Sequence, residues 1–221
     1  MQFKSLAPKD TFLRCALLFW AFGAFLMLAT DKGAVVLWIN DNHSTFGDFF
    51  FKYFTHVGDG LALALIGILL YFKKFYPALF FTLSGILAGL LAQLLKRSVF
   101  KGWPRPVAYF EHIDLNLVEG VKINHFETFP SGHTAAGFAM AFSLFLIFNK
   151  TKYTGILFFI VALLIGASRI YLAQHFFIDT YFGSLLGVLG VFLAQFITKK
   201  IIQKKPNSKA YFNPSIVLHT K

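Results

Sequence analysis

The chain has 221 residues, of which 57% are hydrophobic, 19% aromatic and only 14% charged, and its formal net charge is +11. Soluble domains average about 25% charged residues. This composition excludes a disordered chain, which lacks apolar residues to bury, and argues against an ordinary soluble enzyme.

Six apolar segments are predicted in chain order, at about 13–30, 57–73, 77–95, 132–149, 154–172 and 175–198. Runs of about 20 apolar residues read as membrane spans. The first follows Lys4, Lys9 and Arg14, as the apolar part of a signal peptide would. No small-x-small cleavage site follows it and the rest of the chain is equally apolar, so it is read as a retained span. Cys15, the single cysteine, lies in it and makes neither an intrachain disulfide nor a cysteine metal cluster. Lys73, Lys74 and Pro77 divide the second segment from the third, Asn149 to Lys152 divide the fourth from the fifth, and Lys199 and Lys200 close the sixth. The expected fold class is an all-α integral membrane protein. Residues 1–198 would form one bundle of six transmembrane helices, and 199–221 a basic tail.

Lys and Arg in short loops favour the cytoplasmic side. With the N-terminus inside, thirteen of the 21 Lys and Arg fall inside, and of the ten acids only Asp10 does. Both termini are therefore expected in the cytoplasm, with an even number of spans. The same bias accounts for the net charge without nucleic acid, since the tail suits anionic lipid head groups. Two outer segments are distinctive. Residues 31–56 mix Trp38 and many Phe with polar residues, as an interfacial segment does. Residues 110–125 alternate through Ile113, Leu115, Leu117, Val121 and Ile123 around Glu119-Gly120, a pattern that predicts a β-hairpin over the outer mouth of the bundle.

Ionisable groups at membrane spans are costly and are functional candidates by default. Here they gather on the outer side: six of the seven His, with Lys96, Arg97, Arg105, Arg169, Asp59 and Asp179. Asp59 would pair a site cation or contact a head group, or serve only as an acid at a helix start. Lys96, Arg105 and Arg169 supply cationic donors without a matching excess of carboxylates, a combination suited to phosphate. Pro130-Ser131-Gly132-His133 opens the fourth segment, where free backbone N–H groups make an anion site and Gly132 permits close approach to the backbone. His175 and Asp179 stand four residues apart, hence on one helix face. A carboxylate on one imidazole nitrogen leaves the other free as nucleophile or as base, and spacing alone does not choose between them. His133, on another helix, is placed to protonate a leaving oxygen. These parts describe phosphotransfer with no obligatory metal, driven by positioning and charge stabilisation.

The pattern resembles the type-2 phosphatidic acid phosphatase family, which includes membrane lipid phosphatases and soluble vanadium haloperoxidases. Two of its three motifs match residue for residue: Pro-Ser-Gly-His at 130–133, and Ser168-Arg169, five residues, His175, three residues, Asp179. The first, Lys-x6-Arg-Pro, departs from the pattern. Six residues before Arg105-Pro106 would place Lys at 98, where Ser98 stands. Lys96 is eight residues before Arg105 and is the expected lysine, with Arg97 and Lys101 as competitors.

The resemblance implies the following roles. His175 is the nucleophile and becomes phosphohistidine, Asp179 orients it, and His133 protonates the leaving group. Lys96, Arg105, Ser131, Gly132 and Arg169 hold the phosphoryl oxygens, with no cofactor and no metal. It further implies a membrane lipid phosphatase whose partners are a lipid phosphate substrate and the surrounding membrane lipids, not nucleic acid. Undecaprenyl diphosphate or lipid A phosphate is favoured over phosphatidylglycerophosphate or phosphatidic acid, because an outward-facing site suits the first two. The location expected with it is a bacterial inner membrane, with the site facing the periplasm or exterior. Two rival readings use the same residues, a membrane metalloenzyme and a transporter with polar groups spread through the membrane depth.

Overall fold

The computed structural model describes residues 11–148 and 151–203. Lys4, Lys9, Asp10, Lys150 and the tail from 204, which enter the sidedness argument, lie outside the described residues.

Each apolar segment is a helix. They are α1 (Thr11–Ala29), α4 (Gly60–Lys73), α5 (Phe75–Ser98), α7 (Gly132–Phe148), α8 (Lys152–Tyr171) and α9 (Phe177–Gln203). Between them lie α2 (Ala34–Asp41), α3 (Thr45–Phe54), a 3-10 turn (Thr55–Gly58) and the single turn α6 (Pro106–Tyr109). α1, α5, α8 and α9 are long and apolar enough to cross a membrane. α4, at 14 residues, reaches that length only with α3 and the 3-10 turn, from which it is bent by 54°. α7 has 17 residues, about 25 Å of helix at 1.5 Å per residue. α9 continues to Gln203, past the expected boundary at 198.

The central pack is α5, α7 and α9. α4 lies on α5, α8 on α7, and α1 on α8 and α9. Phe12, Phe80, Phe138, Phe142, Phe145 and Phe159 form its aromatic core, with Phe12 stacked on Phe142 at a centroid distance of 4.7 Å and edge-on to Phe159 at 5.5 Å. Leu17, Leu18, Phe22, Phe25 and Leu28 of α1 remain exposed, as lipid-facing side chains do. Small residues let the central helices approach, as in other membrane bundles. A Cβ on Gly187 would stand 2.6 Å from the carbonyl oxygen of Ala135, and one on Gly183 2.6 Å from that of Ser131. The second contact seats the start of α9 against the start of α7.

The predicted hairpin at 110–125 does not form. Among the described residues the only β-pairing is one isolated antiparallel bridge, Pro104 with Phe126. The turn at Glu119-Gly120 is present, with Gly120 at φ +74°. The flanking backbone is satisfied by other elements instead of by a ladder. Asn40 of α2 exchanges hydrogen bonds with the Asn116 backbone, at 2.8 Å from its N–H and 2.9 Å to its carbonyl. Lys52 of α3 donates to the Glu119 carbonyl at 2.6 Å, and Gln174 to the Lys122 carbonyl at 3.1 Å. Side chains from three places hold the loop open across the bundle end.

Candidate active site

Antiparallel packing brings the end of α5, the start of α7, the end of α8 and the start of α9 to one end of the bundle. All eight predicted site residues lie there. His175 sits in the short loop before α9, Asp179 in the first turn of α9, Ser131 immediately before α7, and Arg105 immediately before α6. Asp179 and Ser131 are fully buried, and His175 is only 2% exposed.

His175 Nδ1 is 3.3 Å from Asp179 Oδ2. That oxygen also accepts from the Phe176 N–H at 2.8 Å and from the Thr128 hydroxyl. The Asp179 carbonyl accepts from the Ser131 N–H at 3.0 Å, which ties the two motifs together. His175 Nε2 faces an Arg105 Nη1 at 3.4 Å. A guanidinium only donates, so Nε2 presents its lone pair and Nδ1 carries the hydrogen toward Asp179. Burial first, then the charges of Arg105, Arg169 and Lys96, hold this loop histidine well below its ordinary value of 6.5, and the ring is neutral near pH 7.

Arg105 spends most of its fork on the protein. Nε donates to the Phe126 carbonyl at 2.8 Å, Nη1 to the Gln174 carbonyl at 2.9 Å and to Gln174 Oε1 at 3.3 Å, and Nη2 to the Glu127 carbonyl at 3.3 Å. Burial lowers its basicity, while Asp179 and Glu127 oppose that. Arg169 donates from Nη1 to the Thr55 hydroxyl at 2.9 Å, and its Nε is buried with no protein partner. Such an orphaned donor costs about 1–3 kcal/mol, which an oxyanion would relieve.

Of the three candidates for the first-motif lysine position, only Lys96 is buried. Lys96 is 7% exposed and within the field of Arg105, Asp179, Glu127 and Arg169, whereas Arg97 and Lys101 point outward and are exposed. Ser131 Oγ accepts from the Thr134 N–H at 3.3 Å and from its hydroxyl at 2.9 Å. It caps α7 and keeps its own O–H as a donor. The first-turn N–H groups of Gly132 and His133 have no helical acceptor. A Cβ on Gly132 would make only ordinary contacts with Gln93 and Ala92, at 3.8 and 3.9 Å, so protein packing does not demand glycine there.

His133 is held through Nε2, 2.8 Å from the Thr55 carbonyl and 3.2 Å from Asp59 Oδ1. Asp59 stands at the start of α4 without a side-chain hydrogen bond to its first turn. Its carboxylate turns to His133 and His56. His43 is structural, stacked on Tyr171 at 4.0 Å and 3.1 Å from Asp48 Oδ1. His112 and His125 are exposed.

Sequence reading missed Thr128, Gln174 and Thr55. Gln174 and Thr128 lie inside or two residues from the motifs, and that adjacency was the available signal. Thr55 had none. A cavity of about 470 Å³ opens beside His133 and Arg169, walled by Lys52, His56, Asp59 and Lys122. Among the described residues no group of three or more His, Cys, Asp or Glu is arranged to hold a metal ion. Among the described residues, the buried polar side chains deeper in the bundle are Ser84, Ser143, Ser184, Gln195 and Thr198, none of them charged.

Comparison with known proteins places the chain in a family. The family model described as the PAP2 superfamily matches residues 77–202, which include all eight predicted site residues. BcrC of Bacillus licheniformis, named a bacitracin transport permease protein, is 36% identical over 74 residues, 34% of this chain and 35% of that protein. The match thus spans about a third of that relative's length. The crystal structure of Aquifex aeolicus LpxE superposes with a TM-score of 0.65 at 29% identity, covering 74% of this chain and 93% of that one. A transmembrane PAP2-type phosphatidylglycerolphosphate phosphatase from Bacillus subtilis superposes at 0.62 and 23% identity, covering 87% and 98%. At that identity the second likeness speaks to fold.

Proposed function

The chain belongs to the PAP2 superfamily, and from that premise we propose that it is a membrane lipid phosphatase working through a phosphohistidine on His175. The observation that carries this reading is the pair His175–Asp179, at 3.3 Å, with Nε2 turned to Arg105. A neutral ring held at Nδ1 offers its Nε2 lone pair to phosphorus. Lys96, Arg105, Arg169, the Ser131 hydroxyl and the N–H of Gly132 receive the phosphoryl oxygens, and their charge offsets what develops in the transition state. His133 gives a proton to the leaving oxygen and recovers one from the attacking water. The surplus of cations favours an anion over a metal ion, so the reaction proceeds without a metal cofactor. The buried charged groups among the described residues, Lys96, Arg105 and Asp179, gather at one end of the bundle, which favours this reading over transport.

We place six spans in the membrane, with both termini in the cytoplasm and the site at the outer face of a bacterial inner membrane. The Lys and Arg bias and the helical state of all six apolar segments support this. The substrate is a lipid phosphomonoester or diphosphate at the head-group plane, with undecaprenyl diphosphate or lipid A phosphate ahead of phosphatidylglycerophosphate or phosphatidic acid. Phosphate release by purified protein in EDTA, across that panel, tests the reading. Release that vanishes in His175→Ala supports it, and release that EDTA abolishes overturns the metal-free mechanism.

A further inference from the structure

Asp59 bridges two histidines. Its Oδ1 is 3.2 Å from His133 Nε2 and its Oδ2 is 2.6 Å from His56 Nδ1. Asp59 precedes residues 77–202, the span that the family model matches. The Thr55 carbonyl, 2.8 Å from the same His133 nitrogen, can only accept, so Nε2 carries a hydrogen and Nδ1 is the nitrogen left for chemistry. Gly58 makes the approach possible, since a Cβ there would stand 3.0 Å from His133 Cδ2. The arrangement mirrors the nucleophile. His175 is held through Nδ1 by Asp179 and works through Nε2, whereas His133 is held through Nε2 by Asp59 and works through Nδ1. Arg169, anchored on the Thr55 hydroxyl at 2.9 Å, braces the same turn.

We propose that Asp59 is the positioning partner of His133, fixing its ring for proton transfer at the leaving oxygen, with His56 holding the far carboxylate oxygen. This rests on the phosphatase reading above. In the first step the P–O bond to the leaving group breaks as phosphorus bonds His175 Nε2. The P–O electron pair goes to the leaving oxygen, which takes the His133 Nδ1 proton. In the second step water bonds phosphorus and yields a proton to His133 Nδ1. The P–N electron pair returns to His175 Nε2.

The test compares leaving groups on the full chain in detergent. An alkyl phosphate, dioctanoyl phosphatidic acid, needs its departing oxygen protonated, whereas p-nitrophenyl phosphate does not. In single-turnover formation of the phosphoenzyme, Asp59→Asn slows the reaction of the alkyl phosphate by about ten- to a hundredfold, within the range of a general acid, and leaves that of p-nitrophenyl phosphate within about threefold. His56→Asn, at an exposed residue, gives a smaller loss with the same dependence on leaving group and carries the test if Asp59→Asn does not fold. Equal losses on both substrates, or no loss on either, overturn the proposal while leaving the phosphatase reading intact. A wild-type protein that hydrolyses neither of these substrates nor any member of the lipid panel above overturns both.

Discussion

Thr128 gives the sharpest test of how the nucleophile is held. Its hydroxyl donates to Asp179 Oδ2, the oxygen that also faces His175 Nδ1, and it is fully buried. Thr128→Val keeps the shape and removes the donor. Asp179 Oδ2 then keeps the Phe176 N–H at 2.8 Å and His175, while Oδ1 already lacks a partner. A hydrogen bond to a charged group contributes about 1.5–3 kcal/mol. At about 1.4 kcal/mol per tenfold in rate, kcat falls by roughly ten- to a hundredfold, because the carboxylate no longer sits where His175 needs it. The assay is single-turnover formation of the phosphoenzyme, with Thr128→Ser as the control that restores the donor. If valine and serine behave alike, or if valine lowers only thermal stability and not the rate of phosphorylation, the hydroxyl does not position the nucleophile and the reasoning fails.

Other expectations follow from the same geometry. Lys96→Ala lowers kcat/KM by about a hundredfold, as loss of a charged phosphate ligand does, and Lys101→Ala stays within about twofold. The reverse order in a phosphate-release assay contradicts the assignment of the buried lysine. Gly183→Ala forces a Cβ within 2.6 Å of the Ser131 carbonyl and costs about 1–3 kcal/mol by overpacking. A thermal melt with unchanged midpoint refutes that close approach. His175, held below its ordinary value by burial and three cations, keeps a neutral ring as pH falls from about 7.5 to about 5.5, a window in which a free imidazole gains its proton. Imidazole NMR showing His175 protonated at the lower pH contradicts it.

The helical architecture was legible because apolar length is a strong signal: each of the six apolar segments is a helix, with boundaries within a few residues. The motif residues were legible because their spacing implies which helix ends meet, and the bundle brings all eight to one end. Lys96 was legible only in part. The family spacing points at Ser98, and what favours Lys96 is that it is buried in the last turn of α5 while Lys101 is exposed. The loop at 110–125 misled, because period-two alternation reports which faces a segment could bury and not which groups satisfy its backbone. Asn40, Lys52 and Gln174, distant in sequence, do that here. Thr55, Thr128 and the role of Asp59 rest on single side chains meeting across the site, and no periodicity marks them.

The central claim is covalent catalysis by His175, and trapping the intermediate tests it most directly. Purified protein is mixed with ³²P-labelled lipid phosphate or diphosphate carrying the label at the terminal phosphorus, then quenched in alkali, where phosphohistidine survives and acyl phosphates do not. The account predicts label on the peptide containing His175, discharged by acid and absent in His175→Ala. It further predicts that label accumulates in His133→Ala with a good leaving group, since water then attacks without its base. Full turnover with no protein-bound label in either protein contradicts the account, and means that His175 activates water instead of bonding phosphorus.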